Sequence, residues 1–312
     1  MRIEYHRTLI ADDVRNEAFF RALKSVIEPG KTVVADIGAG TGLLGLMASK
    51  LGAKDVFLFE TAEVAGVAAQ VLKANKAKRC HLIPCHSTEF DDDLAVDVIV
   101  SETLGNYALE ENIIATLADA RHRFLKPGGT IVPSRIAQYV APVIVPRIDH
   151  ELRAWQRVGH GLDLGSAQAM TLNNAYVRLI QPSELLDDGR SAIAWDAVDL
   201  TRETRAKRKG QGEWRISKPA VIYGFAVWWT AELVPGLTLS TAPSAPRTHW
   251  EQLYFPLSKP IEAKAREHIR LELRSNSSEE AGTHLAWTAI HKNAQGGVLS
   301  RQAHDLDKGY LP

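Results

Sequence analysis

Four short apolar runs, spaced by helix-forming stretches, constrain this chain more than any other feature of it. "KTVVADIG", "DVFLFE", "CHLIPCH" and "VDVIVSE" read as strands, and "TGLLGLMASKLG" and "AEVAGVAAQVLKANK" between them read as helices. "ENIIATLADARHRFL" adds a helix that should end at Lys126-Pro127-Gly128-Gly129, before a strand "TIVPS". Runs that are apolar without alternation suit strands covered on both faces, and a strand–helix–strand order joins parallel neighbours. Residues 1-133 are therefore expected to form an α/β, Rossmann-like doubly wound sheet. An amphipathic helix, "DDVRNEAFFRALKSV", should precede it with Asp12 as a cap.

After Pro133 the texture changes. "AQYVAPVIVP", "AIAWDAVDL", "VIYGFAVWWTAEL", "HWEQLYFPL" and "HIRLELRS" are short, β-rich and bounded by turn residues, which predicts a mostly antiparallel domain over 134-312. "RIDHELRAWQRVGHG" reads as helical, and the basic run Arg202 to Arg215 as a solvated hairpin loop. Lys plus Arg equals Asp plus Glu at 37 each, so no global field steers the chain toward nucleic acid or an acidic membrane. The sequence shows neither a membrane span nor a signal-peptide core, and a cytoplasmic location is expected. Cys80 and Cys85 give no disulfide framework. In "CHLIPCH" an extended backbone puts Cys80 and His86 on one face and His81 and Cys85 on the other, so no metal site is expected.

The turn after the first strand, "VVADIGAGTGLLG", carries Asp36, Gly38, Gly40 and Gly42. Gly40, Gly42 and Gly45 also satisfy G-x-G-x-x-G, so a dinucleotide is one candidate ligand. Glu60, closing the second strand, can accept both hydroxyls of a ribose. Asp36, two residues before the first glycine, favours S-adenosyl-L-methionine instead, because a pyrophosphate does not suit a carboxylate there.

The fourth strand runs straight into acidic residues: "VDVIVSETLGNYALEEN" places Glu102 at its end and Glu110 and Glu111 further on. Two carboxylates can hold the planar fork of a guanidinium, draw its positive charge toward themselves and leave the remaining nitrogen more nucleophilic. Glu110 and Glu111 could alternatively do no more than start the following helix, where acidic groups favour the dipole.

These segments resemble the protein arginine methyltransferases. "SETLGNYALEE" is similar to that family's double-glutamate loop, "VVADIGAGTG" and "FLFE" to its cofactor motifs, and Thr248-His249-Trp250 to a third motif in the β-rich half. The resemblance implies a β-barrel-like second domain with a helical dimerisation arm at about 150-175, within "GLDLGSAQAMTLNNAYVRLIQPSELL" and the segment before it. It implies that Arg15 pairs with the cofactor's carboxylate, Gly38 and Gly40 line its amino-acid end, Glu60 takes the ribose, and Ser87-Thr88 lie by the adenine. Glu102, Glu111, His249 and Asp12 would be catalytic. Asp12 and His249 would pair, linking the helix over the cofactor to the barrel, and Trp250 would join Glu102 and Glu111 around the substrate.

The expected partners are a guanidine-bearing substrate, in protein or a small molecule, and a second copy of the chain. Leu152, Trp155, Val158 and Leu162 share helical spacing on the arm, where burial on a partner is their natural use. The family's Tyr-Phe-x-x-Tyr helix has no counterpart here, Thr103-Leu104 replace its usual Trp-Met, and Leu9 stands where a methionine is usual. Two other readings stay open: methylation of a different nucleophile, and a cofactor-binding scaffold without turnover.

Overall fold

The computed structural model describes residues 3–278 and 282–309. Two helices lead the chain, α1 (Ile3–Ile10) and α2 (Asp13–Val26). The Asp12 side chain accepts the Arg15 amide at 2.9 Å and so caps α2, while Phe19, Ala22 and Leu23 on one face are fully buried. Five strands follow: β1 (Val33–Ile37), β2 (Asp55–Phe59), β3 (Cys80–Ile83), β4 (Val96–Ser101) and β5 (Leu125–Val132). They pair in parallel in the order β3-β2-β1-β4-β5, with α3 (Leu43–Lys50), α4 (Ala65–Ala74) and α5 (Ile113–Arg123) in the connections. The expected doubly wound sheet is present. Its winding reverses between β1 and β4, so their carboxyl ends flank the crevice where ligands of such sheets bind. Lys126-Pro127-Gly128-Gly129 does not break the chain as expected; it lies inside β5, where the pairing with β4 slips.

The second half is antiparallel. Its strands are β6 (Arg135–Val143), β7 (Tyr176–Arg178), β8 (Ile193–Asp199), β9 (Lys207–Arg215), β10 (Ala220–Val234), β11 (Leu237–Ser240), β12 (Gln252–Ala263), β13 (His268–Asn276), β14 (His284–Lys292) and β15 (Val298–Asp305). Hydrogen bonds link them as two sheets, β7-β12-β10-β6-β8 with β11 on β10, and β15-β14-β13-β9. The sheets face each other through Trp214 against Phe225 (5.7 Å between ring centres) and Phe255 stacked on Trp287 (4.6 Å). The barrel-like half is thus built from two facing sheets. Its core is continuous with that of the parallel sheet, running from Phe19 and Val34 through Ile136 to Trp287.

Two expectations fail here for identifiable reasons. The basic run from Arg202 is not a loop throughout, because Lys207–Arg215 is β9, paired along its length with β13. Its alternation is masked in the sequence: Arg208 points inward, where Asp196 holds it at 2.7 Å, while Lys207, Lys209 and Arg215 face out. The arm is not one helix either. α6 (Arg147–Leu152) stops at Arg153, whose side chain turns back to Asp149 at 2.9 Å and to the Leu257 and Ser258 carbonyls at 3.2 Å. Leu152 is consequently buried in a small second core with Ile148 and Tyr254, whereas Trp155, Val158 and Leu162 are 39%, 44% and 61% exposed. Met170, on α7 (Gly165–Leu172), joins them at 58%. Among the described residues no helix is long and apolar enough to cross a membrane.

Candidate active site

A cavity of about 380 Å3 opens at the winding reversal. Gly38, Gly40 and Gly42 connect β1 to α3 with φ of 73°, 56° and 85°, values that only glycine adopts freely. Gly38 has a second reason to be glycine, since a Cβ there would lie 2.6 Å from the Thr103 methyl. Asp36, on β1, is buried; its Oδ2 accepts the Gly45 amide at 2.8 Å and its Oδ1 has no partner. Burial pushes its carboxyl up to about 7. At the end of β2, Glu60 closes the turn by accepting the Gly40 amide at 2.7 Å and the Ala62 amide at 2.8 Å.

Glu102 and Glu111 both line this cavity. Glu102 receives Arg15: the guanidinium Nε donates to Oε2 at 2.7 Å, and Nη2 donates to the same oxygen. Burial raises the Glu102 carboxyl above its usual range although Arg15 opposes the rise. Arg15 also lines the cavity, so the group expected to meet a cofactor carboxylate here meets Glu102. Glu110 and Glu111, adjacent in sequence, separate in space. Glu110 folds back to accept the Tyr107 amide at 3.2 Å and packs over Gly105, whereas Glu111 faces the cavity. Glu111 and Asn112 both have left-handed backbones, φ 57°, so α5 begins at Ile113 and Glu111 lies outside its first turn. The cavity walls, then the charges of Glu102 and Glu60, push the Glu111 carboxyl up.

Asp12 and His249 meet across the two halves. Asp12 Oδ2 accepts both the His249 amide and a hydrogen bond with His249 Nδ1, each at 2.7 Å. Burial favours the neutral Asp12 carboxyl, but the His249 hydrogen bonds and the Arg15 amide outweigh it and hold the group below its usual range. Neither residue is part of the cavity lining. Nor is Trp250, expected beside the substrate: it is 4% exposed, packs edge-on to Trp229 and donates its indole N–H to the Leu104 carbonyl at 2.9 Å. Ser87 and Thr88 also part. Ser87 lines the cavity with its buried Oγ unpartnered, while the Thr88 hydroxyl turns to His86 Nδ1 at 2.7 Å, outside the lining.

Several contributors were not found by reading the sequence. His6, on α1, lines the cavity with a buried, unpartnered Nε2, and burial lowers its pKa. The loop from Glu102 to Glu111 is held by the second half: Trp229 donates to the Gly105 carbonyl at 3.0 Å, Asn106 accepts the Glu251 amide at 2.9 Å, and the Tyr107 hydroxyl donates to Ser275 at 2.6 Å. The available signal was the Trp-Trp pair in β10, which reads equally well as core.

A family model described as the arginine methyltransferase oligomerization subdomain matches residues 135–289, and one described as ribosomal protein L11 methyltransferase matches 17–156. The chain is 30% identical to protein arginine N-methyltransferase 6 of Xenopus tropicalis over 313 aligned positions, 96% of this chain and 91% of that protein. It is 29% identical to protein arginine N-methyltransferase 1 of Dictyostelium discoideum, over 80% of this chain and 75% of that one. Among solved structures, it superposes on the Trypanosoma brucei PRMT1 enzyme-prozyme heterotetrameric complex with AdoHcy with a TM-score of 0.86 at 20% identity, covering 97% of this chain and 98% of the other. Arabidopsis thaliana protein arginine methyltransferase 10 gives a TM-score of 0.82 at 22% identity, covering 98% of each chain.

Proposed function

The chain belongs to the protein arginine methyltransferase family, and we propose that it transfers a methyl group from S-adenosyl-L-methionine to a guanidine nitrogen, in a protein arginine or in free arginine or a related metabolite. The observation that carries this reading is that Glu102 and Glu111 share one cavity with the glycine turn and Glu60. The cavity fits the cofactor by its unused polar groups: Asp36 Oδ1 and Ser87 Oγ are buried there without partners. Asp36 would take the cofactor's ammonium, Arg15 its carboxylate, Glu60 the ribose hydroxyls and Ser87 the adenine edge, while Gly38 and Gly40 let the backbone approach closely. Bound S-adenosylmethionine would supply an electrophilic methyl group. Thr88 and Trp250 have no place in this assignment.

Glu102 and Glu111 would hold two nitrogens of the guanidinium and keep the third aimed at the methyl carbon. The raised carboxyl of Glu111 suits it to take the proton that this nitrogen loses on methylation. The Asp12–His249 pair would hold α2 against the second half, which keeps Arg15 and Glu102 in register with the cavity. The match to an oligomerization subdomain and the exposed Trp155, Val158 and Leu162 support a homodimer through about 150-175. Two unpaired cysteines suit a cytoplasmic setting.

Calorimetry and a transfer assay test the proposal together. Heat is expected on adding S-adenosylmethionine and none on adding NAD, with labelled methyl appearing on an arginine peptide, on free arginine or on a lysate protein. Heat with NAD alone, or cofactor binding with no labelled guanidine in any of these acceptors, overturns it.

A further inference from the structure

At the opposite end of the parallel strands from the active-site cavity, a depression of about 620 Å3 lies between the α3–β2 and α4–β3 connections. Its described lining holds five cations, Lys50, Lys54, Lys76, Lys78 and Arg79, and no carboxylate. Among the described residues none of the five forms an ion pair, although Lys54, together with Lys126, helps hold the Asp97 carboxyl below its usual range. All five are exposed, and Arg79 reaches across the depression to donate to the Lys54 carbonyl at 3.1 Å. Lys76 sits at φ 52°, a left-handed conformation that a lysine adopts at some cost in backbone energy.

Cations at this place have one ordinary use, complementing the carbonyl ends of α3 and α4, and about one charge per helix end suffices for that. Five exceed it. In a chain of zero formal charge the cluster is a local concentration, with no global field behind it. We propose that this depression holds the phosphate backbone of duplex nucleic acid without reading its sequence. Three features select that occupant. Four of the five cations are lysines, compact point charges with three rotatable donors that can meet phosphates in varied geometry. The lining offers no carboxylate to repel a continuous chain of phosphates. It also contains no aromatic side chain, so it lacks the stacking platform on which unpaired bases are held. The cofactor cavity opens at the other ends of the same strands, so such a partner tethers the enzyme without competing for the methyl-transfer site.

The test is fluorescence anisotropy of labelled short RNA and DNA duplexes with the whole chain at about 50 mM salt, where backbone contacts are strong. Binding should weaken steeply with salt, by a log–log slope of about −2 to −4 for a few neutralised phosphates. Lys76→Glu with Lys78→Glu should weaken it at least ~10-fold, as expected for lost phosphate contacts, while Lys207→Glu with Lys209→Glu on β9 leaves it unchanged. Unaltered heat of S-adenosylmethionine binding would show that both variants are folded. Three results overturn the proposal: no duplex binding at low salt, equal losses in the two double variants, or tighter binding of poly-glutamate or of a single strand than of either duplex.

Discussion

Asp36 has one carboxylate oxygen held by the Gly45 amide and the other without a partner in a buried site, and burial pushes its carboxyl up to about 7. Between the ordinary carboxyl range and that value the folded protein keeps a proton that the unfolded chain has lost, so stability falls as pH rises through the window. Asp36→Asn keeps the acceptor for Gly45 and removes the charge. It should stabilise the unliganded protein at about pH 8 by up to ~4 kcal/mol, read from urea unfolding, and, on the proposed assignment of Asp36 to the cofactor's ammonium, abolish S-adenosylmethionine binding. Equal stability of variant and parent at that pH would remove the buried-charge account. The glutamate pair makes a sharper contrast. Glu111→Gln should cut methyl transfer about 10²-fold with cofactor binding intact, the scale of losing one preorganised electrostatic partner. Glu110→Gln, at a side chain that hydrogen-bonds the Tyr107 amide and packs over Gly105 outside the cavity, should cost about 1 kcal/mol of stability and leave turnover within about threefold. The reverse pattern in the transfer assay would move the clamp to Glu110.

Among elements, the loop from Glu102 to Glu111 depends on a partner that arrives far later in the chain. Trp250, beside β12, caps the Leu104 carbonyl, and Trp229 on β10 caps that of Gly105. Trp250→Phe keeps the ring but leaves a buried carbonyl unpaired, for a loss of about 1–3 kcal/mol. The kcat should fall while the KM for S-adenosylmethionine stays near its original value, because the loosened loop carries the glutamates and not the glycine turn. A KM rise with kcat untouched would show that the loop is held in some other way. The arm offers an independent test. With Leu152 buried, the surface available to a second copy is Trp155, Val158, Leu162 and Met170. Leu162→Glu with Met170→Glu should shift the mass by light scattering from dimer to monomer at micromolar concentration without a large change in melting temperature, since neither side chain is in the core. A dimer that persists would place the interface elsewhere.

For the molecule as a whole, two buried titrating groups act in opposite directions. His304, stacked on Trp287 with Nδ1 unpartnered, is pushed down to about 4 by burial. Its folded form stays neutral where the unfolded chain takes up a proton, so stability is lost as pH falls from about 6.5 toward about 4. Asp36 gains stability over much of that window, and the two should partly cancel. His304→Phe, which retains a ring on Trp287, should make the protein more resistant to urea at about pH 5 than the parent, by up to ~2 kcal/mol, with little gain at about pH 8. No gain at the lower pH would mean that His304 is accessible to a proton in the folded state. The sequence by itself determined the parallel sheet, the glycine turn after β1 and the carboxylates at the ends of β2 and β4, because apolar runs, breakers and strand ends are set by neighbours within a few residues. Only the tertiary structure decided that Ser87 and not Thr88 lines the cavity, that Trp250 lies behind the loop and outside that lining, that β9 is a strand and that α6 ends at Leu152, and it gave the geometry behind the choice of Glu111 over Glu110 that the family resemblance implied. For Trp250, β9 and α6 the deciding contact comes from a group distant in sequence: Trp250 on Leu104, β13 beside β9 and the Leu257 carbonyl on Arg153; Glu110 and Thr88 instead turn away from the cavity to near neighbours, the Tyr107 amide and His86. A local pattern fixes the backbone period, but the direction of a side chain at a turn follows the partner that satisfies it, and that partner is known only once the chain has folded.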